Sequence, residues 1–107
     1  MTYATADQVK ERLDISDTSQ DTKIAAKLTQ ANRIIDGKLK RFTTVPITTP
    51  TEIVNLLAEV EADLAAGLLV EDRGPVWKDQ ATVFKKRADE GLEAVLSYFR
   101  QGTVIVG

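Results

Sequence analysis

Apolar residues recur at steps of three or four positions along most of this sequence, and this period constrains the fold more than any other feature. In an α-helix such spacing places the side chains on one face, which must pack against a neighbouring element. No regular hairpin signal interrupts the pattern. The sequence therefore predicts an all-α fold, a small bundle of about four helices. The three long stripes are Ile24, Leu28, Ala31, Ile35, Leu39 and Phe42; Ile53, Leu57, Val60, Leu64 and Leu68; and Trp77, Ala81, Phe84, Ala88, Leu92, Val95 and Phe99.

Capping and loop residues set the ends of the first two predicted helices. Thr5, followed three residues later by Gln8, indicates a capping box that opens a short first helix ending near Asp14. Residues 15–21 are rich in side chains that bond their own backbone, so they predict a loop. The second helix follows this loop and is expected to run to about Arg41.

A long threonine- and proline-rich loop, residues 41–51, separates the second and third predicted helices. Its two prolines and five threonines disfavour helix. Thr51 is expected to cap the third helix, and Gly74 followed by Pro75 is expected to end it. The fourth helix follows and is expected to end at Gly102.

The final residues have a composition that differs from the helical part. They are β-branched and favour a strand, but no partner strand is evident elsewhere. We therefore divide the chain into a helical domain, residues 1–101, and an extended C-terminal tail, residues 102–107. Such a tail either frays or adds to the sheet edge of another protein. The candidate docking residues are Thr103, Val104, Ile105 and Val106.

The residue types that the chain lacks exclude several kinds of chemistry. Its 107 residues include no cysteine and no histidine, which excludes thiolate nucleophiles, imidazole bases and the zinc sites built on them. The glycines form no phosphate-binding motif. Glu59 and Asp63 lie four apart on one helix, yet no third ligand for Ca²⁺ or Mg²⁺ is visible. We expect no enzymatic activity, no cofactor and no metal.

The longest apolar run, residues 64–70, is far shorter than the ~20 residues of a membrane helix. Residues 1–13 hold four charged side chains and no apolar core, unlike a signal peptide. We expect a soluble protein made in a cytoplasm, with no membrane partner. This apolar run places apolar side chains on every side of the third helix, so neighbouring elements should bury that stretch of helix on all sides. This requirement raises the possibility that a second chain contributes the cover.

Charge is segregated along the sequence although the net charge is only -2. Residues 23–45 contain six basic and one acidic residues, whereas residues 46–75 contain one basic and six acidic residues. The two charged flanks could face each other within one subunit, face a neighbouring subunit, or lie in solvent. The residues of these flanks are Lys23, Lys27, Lys38 and Arg41 on the second helix and Glu52, Glu59 and Asp63 on the third.

Three local features have competing interpretations. The second helix could enter a DNA groove as in a small helical DNA-binding regulator, although Asp17 and Asp21 would then meet phosphates. Trp77 is expected to be a core anchor, with an interface contact as the alternative. Gly37 either allows another backbone to pack closely or is merely tolerated near a helix end.

Several short phrases resemble the head-tail connector proteins of long-tailed phages. The phrases are Tyr3-Ala4-Thr5 with Val9 and Leu13, Ala31-Asn32-Arg33-Ile34-Ile35-Asp36-Gly37, Arg41-Phe42, and Glu61-Ala62-Asp63-Leu64-Ala65-Ala66 with Leu68-Leu69. They extend from Tyr3 to the third helix, and the order of the predicted elements extends the resemblance to Phe99. The motifs are short and include no catalytic residue.

The resemblance implies a virion structural protein, an all-helical adaptor in the neck of the particle that forms a ring, twelve-fold in that family, beneath the portal protein. Such a ring extends the DNA channel and docks the next neck or tail-completion protein. By position, the charged flanks would line subunit contacts or the channel, with non-specific contact to passing genomic DNA. The loop with Val45 and Ile47, together with the C-terminal tail, would reach the portal or the next ring.

Overall fold

The computed structural model describes the backbone of residues 2–106 and the side chains of residues 2–100, and within that range the chain forms four α-helices and no strand. The all-α fold is thus confirmed. The helices are α1 (Ala6–Leu13), α2 (Asp21–Leu39), α3 (Thr51–Glu71) and α4 (Lys78–Val106), with a 3₁₀ turn at Pro75–Trp77 between the last two.

Helix α3 lies at the centre of the bundle, and the other three helices pack against it. Along the α3–α4 contact, Gly67 lies beside Ala81 and Val60 lies beside Gly91, so the two helices run antiparallel. The central position of α3 explains its composition, because a helix with neighbours on several sides must be apolar on several sides.

The apolar run of α3 is covered within a single chain. Residues 65–70 are all buried, packed in a core cluster that includes Val9 of α1, Leu28 of α2 and Phe84 of α4. A second cluster joins the other halves of α2, α3 and α4, and Leu64 packs against both. The possibility that the run needs cover from a second chain is therefore wrong, because the other three helices enclose it.

Close approach of helices occurs at two glycines. A Cβ on Gly91 would lie 2.6 Å from Val60 Cγ2, and one on Gly67 would lie 3.3 Å from the carbonyl oxygen of Ala81. Gly37 has no heavy atom within 4 Å of such a Cβ. Of the two interpretations of Gly37, tolerance on an exposed stretch of helix is the one that agrees with the structure.

The helix ends agree with the sequence at some positions and differ at others. The capping box of Thr5 and Gln8 is present. Helix α2 ends at Leu39, short of Arg41, and the amides of Phe42 and Thr43 bond the Leu39 carbonyl. Thr51 is the first residue of α3 rather than its cap, and no side chain caps that end.

The expectation of an extended C-terminal tail is wrong, because the backbone continues as helix through residue 106. Continuing an existing helix adds a backbone hydrogen bond for each residue, whereas an isolated strand has no partner for its amides. The predicted docking side chains, Thr103, Val104, Ile105 and Val106, lie outside the residues whose side chains are described.

Candidate functional site

Arg12 ties α1 to the acidic flank of α3. Its Nε donates to Asp63 Oδ1 at 2.7 Å, its Nη2 donates to Glu59, and its Nη1 donates to the Gln8 carbonyl at 3.0 Å. Burial disfavours the guanidinium charge, but the hydrogen bonds and charges of Asp63 and Glu59 outweigh it and raise the pKa of Arg12. The carboxylate pair considered as metal ligands is therefore occupied by an arginine of the same chain.

Glu61, on the neighbouring face of α3, is a fully buried carboxylate. Its Oε1 accepts from the backbone amide of Ala4 at 2.9 Å, and its Oε2 accepts from Asn32 Nδ2 at 3.0 Å. Burial raises the pKa of Glu61, and the charge of Asp36 adds to the rise, although the hydrogen bonds from Ala4, Asn32 and the backbone of Tyr3 act in the opposite direction. One side chain thus joins the N-terminal segment, α2 and α3.

Tyr3 extends this arrangement to the loop that precedes α3. Its hydroxyl donates to Asp36 Oδ1 at 2.7 Å and accepts from the backbone amide of Ile47 at 2.9 Å. Burial is the largest cause that raises the pKa of Tyr3 to about 12, and the adjacent carboxylate of Asp36 adds to it. We call these residues the polar seam, and its members are Tyr3, Ala4, Asn32, Asp36, Ile47 and Glu61.

The polar seam was not identified as a site from the sequence. One signal could have found Glu61: it lies four residues after Leu57 and seven before Leu68, so helical spacing places a carboxylate on the apolar stripe. A buried carboxylate needs hydrogen-bond donors. The sequence gives no corresponding signal for its donors, because Ala4 and Asn32 lie 57 and 29 positions away.

Several residues of the charged flanks are paired within the chain. Lys27 Nζ lies 2.6 Å from Asp72 Oδ2, and Glu59 and Asp63 bind Arg12. Lys23, Lys38, Arg41 and Glu52 are exposed, and among the side chains of residues 2–100 they have no ion-pair partner. The unpaired flank residues therefore lie mainly on α2 and directly after it.

An open groove lies beside the C-terminal end of α2. It has a volume of about 360 Å³ and is bounded on one side by Gly37, Lys38, Arg41 and Phe42 and on the other by Glu93, Leu96 and Arg100 of α4. Arg100 pairs with Glu93, and its guanidinium carbon lies 5.8 Å from the centre of the Phe42 ring. We call this feature the α2–α4 groove.

The remaining candidate residues lie in separate places. Trp77 is 39% exposed, beneath the guanidinium of Arg73 at 5.1 Å, so the expectation that it is a core anchor is wrong. It directly precedes α4, in the 3₁₀ turn that follows the end of α3 at Glu71. In the loop, Ile47 is buried in the second core cluster and Val45 packs against that cluster.

Within the described residues, no helix combines the length and the hydropathy that crossing a membrane requires. Comparisons with protein-family models, with curated proteins and with solved structures found no match to this chain.

Proposed function

We propose that this chain is a head-tail connector of a long-tailed phage. In this proposal it forms a ring beneath the portal protein in the neck of the virion, extends the DNA channel and provides a docking surface for the next neck or tail component. Its mechanism is binding, without covalent chemistry.

The observation that carries the proposal is where the resembling phrases lie in the fold. Tyr3 and Ala4 belong to the first phrase, Asn32 and Asp36 to the second, and Glu61 to the fourth, and these residues are joined by hydrogen bonds in the polar seam. Short phrases that are alike by chance have no reason to supply both partners of the same hydrogen bonds, one buried and two partly buried. The all-helical fold is also the one that the resemblance implies.

The surface of the molecule is compatible with a part that works by assembly. Lys23, Lys38, Arg41 and Glu52 are exposed charges available to a neighbouring copy or to DNA. Charges of this kind contribute more to orientation and rate of association than to affinity. A ring closes when each copy presents complementary surfaces to its two neighbours.

Electron microscopy tests the proposal, using the purified chain alone and the chain mixed with portal complexes of its phage. We expect the mixture to show portals that carry an additional ring layer. Portals that remain unchanged with the chain in excess would overturn the proposal.

One observation favours a second candidate, a small DNA-binding regulator, because five exposed cations lie on α2 or just after it: Lys23, Arg33, Lys38, Lys40 and Arg41. A salt-dependent gel shift with free duplex DNA, together with stable dimers and no rings, would favour this candidate. Sequence-independent contact with DNA would instead agree with a connector whose channel carries these cations.

A further inference from the structure

The α2–α4 groove lies at one end of the molecule, outside the polar seam and outside the Arg12 cluster. Helices α2 and α4 both pack on α3, and at this end they leave an opening of about 360 Å³ between them. The space beside Gly37 is open, because a Cβ at this position would meet no heavy atom within 4 Å.

The charges around the groove are not balanced within the chain. Lys38 and Arg41 are exposed and have no carboxylate partner among the described side chains. Arg100 already shares Glu93. Three cations therefore surround a single carboxylate, and a ligand with negative charge would complete the pairing.

The groove also has apolar surface. Phe42 is 39% exposed although it continues the apolar stripe of α2, and Leu96 is partly buried against the second core cluster. A volume of about 360 Å³ accommodates one or two side chains, near the lower limit of the pockets that bind small ligands. An apolar surface bordered by cations fits a peptide that combines an apolar side chain with carboxylates.

A nucleic-acid backbone fits the same groove less well. Phosphates would gain from Lys38 and Arg41, but the apolar surface of Phe42 and Leu96 would have no counterpart in a phosphate chain.

We propose that the α2–α4 groove binds an acidic segment of a partner protein, with one apolar side chain of that segment on Phe42 and Leu96 and its carboxylates paired with Lys38 and Arg41. The proposal goes beyond the connector function and does not depend on ring formation, since each single chain contains the whole groove.

Fluorescence anisotropy tests this with the full chain and a labelled peptide that contains several glutamates, one leucine and one phenylalanine. A matched peptide has glutamine in place of every glutamate. We expect the acidic peptide to bind about tenfold more tightly than the glutamine peptide, a difference that several charge pairs can supply.

Three variants locate the binding. The double variant Lys38→Glu with Arg41→Glu reverses the charge of the groove and should weaken peptide binding by about tenfold or more. Gly37→Leu fills the opening with a side chain that favours helix, so the protein stays folded while the peptide is displaced. Lys86→Glu, at an exposed position on α4 that does not line the groove, is the control and should leave binding unchanged.

Each alternative result contradicts the proposal in its own way. Equal binding of the two peptides, or full binding by Gly37→Leu, would overturn it. One such result is that duplex DNA binds, that the groove variants abolish this binding and that the peptide does not bind. The groove would then be a nucleic-acid contact. If sedimentation shows self-association of the chain that the same variants abolish, and the peptide does not bind, the occupant is a second copy.

Discussion

Glu61 is a residue whose chemistry depends on its surroundings. It is fully buried on the central helix, and its pKa lies above the ordinary value of 4.5 because burial disfavours the carboxylate more than its hydrogen bonds stabilise it. The folded protein therefore binds more protons than the unfolded chain in the interval between pH 4.5 and the raised pKa of folded Glu61. In that interval the free energy of unfolding falls as pH rises, and Glu61 contributes most to stability below it.

Glu61→Gln should remove this pH dependence. The amide does not titrate, and if Asn32 rotates its own amide, the introduced side chain can accept from Ala4 and donate to Asn32 Oδ1. We therefore expect the free energy of unfolding, measured by urea denaturation between about pH 4.5 and about pH 7, to be flatter in the variant. Glu52→Gln, at an exposed position, should keep the wild-type slope. A variant slope equal to that of the wild type would contradict our assignment of the pKa.

Tyr3→Phe removes the hydroxyl that joins Asp36 to the loop. The amide of Ile47 then lacks its partner, so we expect the free energy of unfolding to fall by about 1 to 3 kcal/mol. Tyr98→Phe is the matched control, since Tyr98 is exposed and its hydroxyl has no hydrogen bond among the described residues. Equal losses in the two variants, measured by chemical denaturation, would show that the hydroxyl of Tyr3 contributes nothing specific.

Gly37→Ala and Gly91→Ala should change thermal stability in opposite directions. The added methyl at position 37 meets nothing and favours helix, which should stabilise the protein by about 0.5 to 1 kcal/mol. At position 91 the methyl would lie 2.6 Å from the buried Val60, and overpacking of this kind costs about 1 to 3 kcal/mol. Calorimetry provides the comparison, and a shift of the same sign in both variants would contradict the proposed helix contact.

At the scale of secondary structure, α1 depends on contacts with α3 rather than on its own length. It has eight residues, fewer than an isolated helix needs in water. Val9 packs it on the core, and Arg12 binds Asp63 and Glu59. The element is therefore stable only while its side chains stay docked on the central helix.

Arg12→Gln should loosen α1 specifically. It leaves the partly buried Asp63 without its partner, and we expect a loss of about 1 to 3 kcal/mol after allowance for solvent screening. Hydrogen exchange should accelerate in α1 more than in α4. Arg33→Gln, at an exposed position on α2, is the control and should leave exchange in α1 unchanged. Uniform acceleration over all four helices would contradict a local role for Arg12.

The helices themselves could be predicted from the sequence because their signals are local. The stripe from Ile24 to Leu39 is buried as a period of 3.6 requires, and the capping box at Thr5 involves residues three apart. Trp77 was predicted incorrectly because helical spacing does not tell where the neighbouring helix ends. The C-terminal residues were predicted incorrectly because composition does not tell whether a preceding helix continues.

The contacts between helices could not be predicted in the same way. Glu61 meets Ala4 and Asn32, and Tyr3 meets Asp36, over separations of 29 to 57 positions. These pairs exist because three elements cross at one place, and no local pattern encodes that crossing. The proximity of Glu59 and Asp63 on one helix could be predicted from the sequence, whereas their pairing with Arg12 could not.

At the scale of the whole molecule, folding redistributes the segregated charge of the sequence. Arg12 neutralises carboxylates of the acidic segment, and Lys27 pairs with Asp72 of the same segment. The opposite charges of residues 23–45 and 46–75 are therefore partly satisfied inside one subunit. The unpaired basic residues that remain at the end of α2, Lys38 and Arg41, define the surface where we expect contact with partners.

We expect each subunit to stay monomeric or form only small oligomers in isolation and to assemble on a template. The apolar run of α3 is already covered within one chain, so we expect contacts between copies to be polar. A single contact of this kind should be weak, and a preceding ring should strengthen the contacts by aligning the copies. Light scattering of the chain without partners should report monomers or small, concentration-dependent oligomers. Stable rings that form without any template would show that the contacts between copies are strong. Such rings would not contradict the connector proposal.

The most direct test of the connector proposal is the mass of portal complexes measured with and without the chain in excess. If the chain forms a ring that follows the portal symmetry, the mass should rise by 11.8 kDa for every portal subunit. A portal mass that does not change would contradict the proposal.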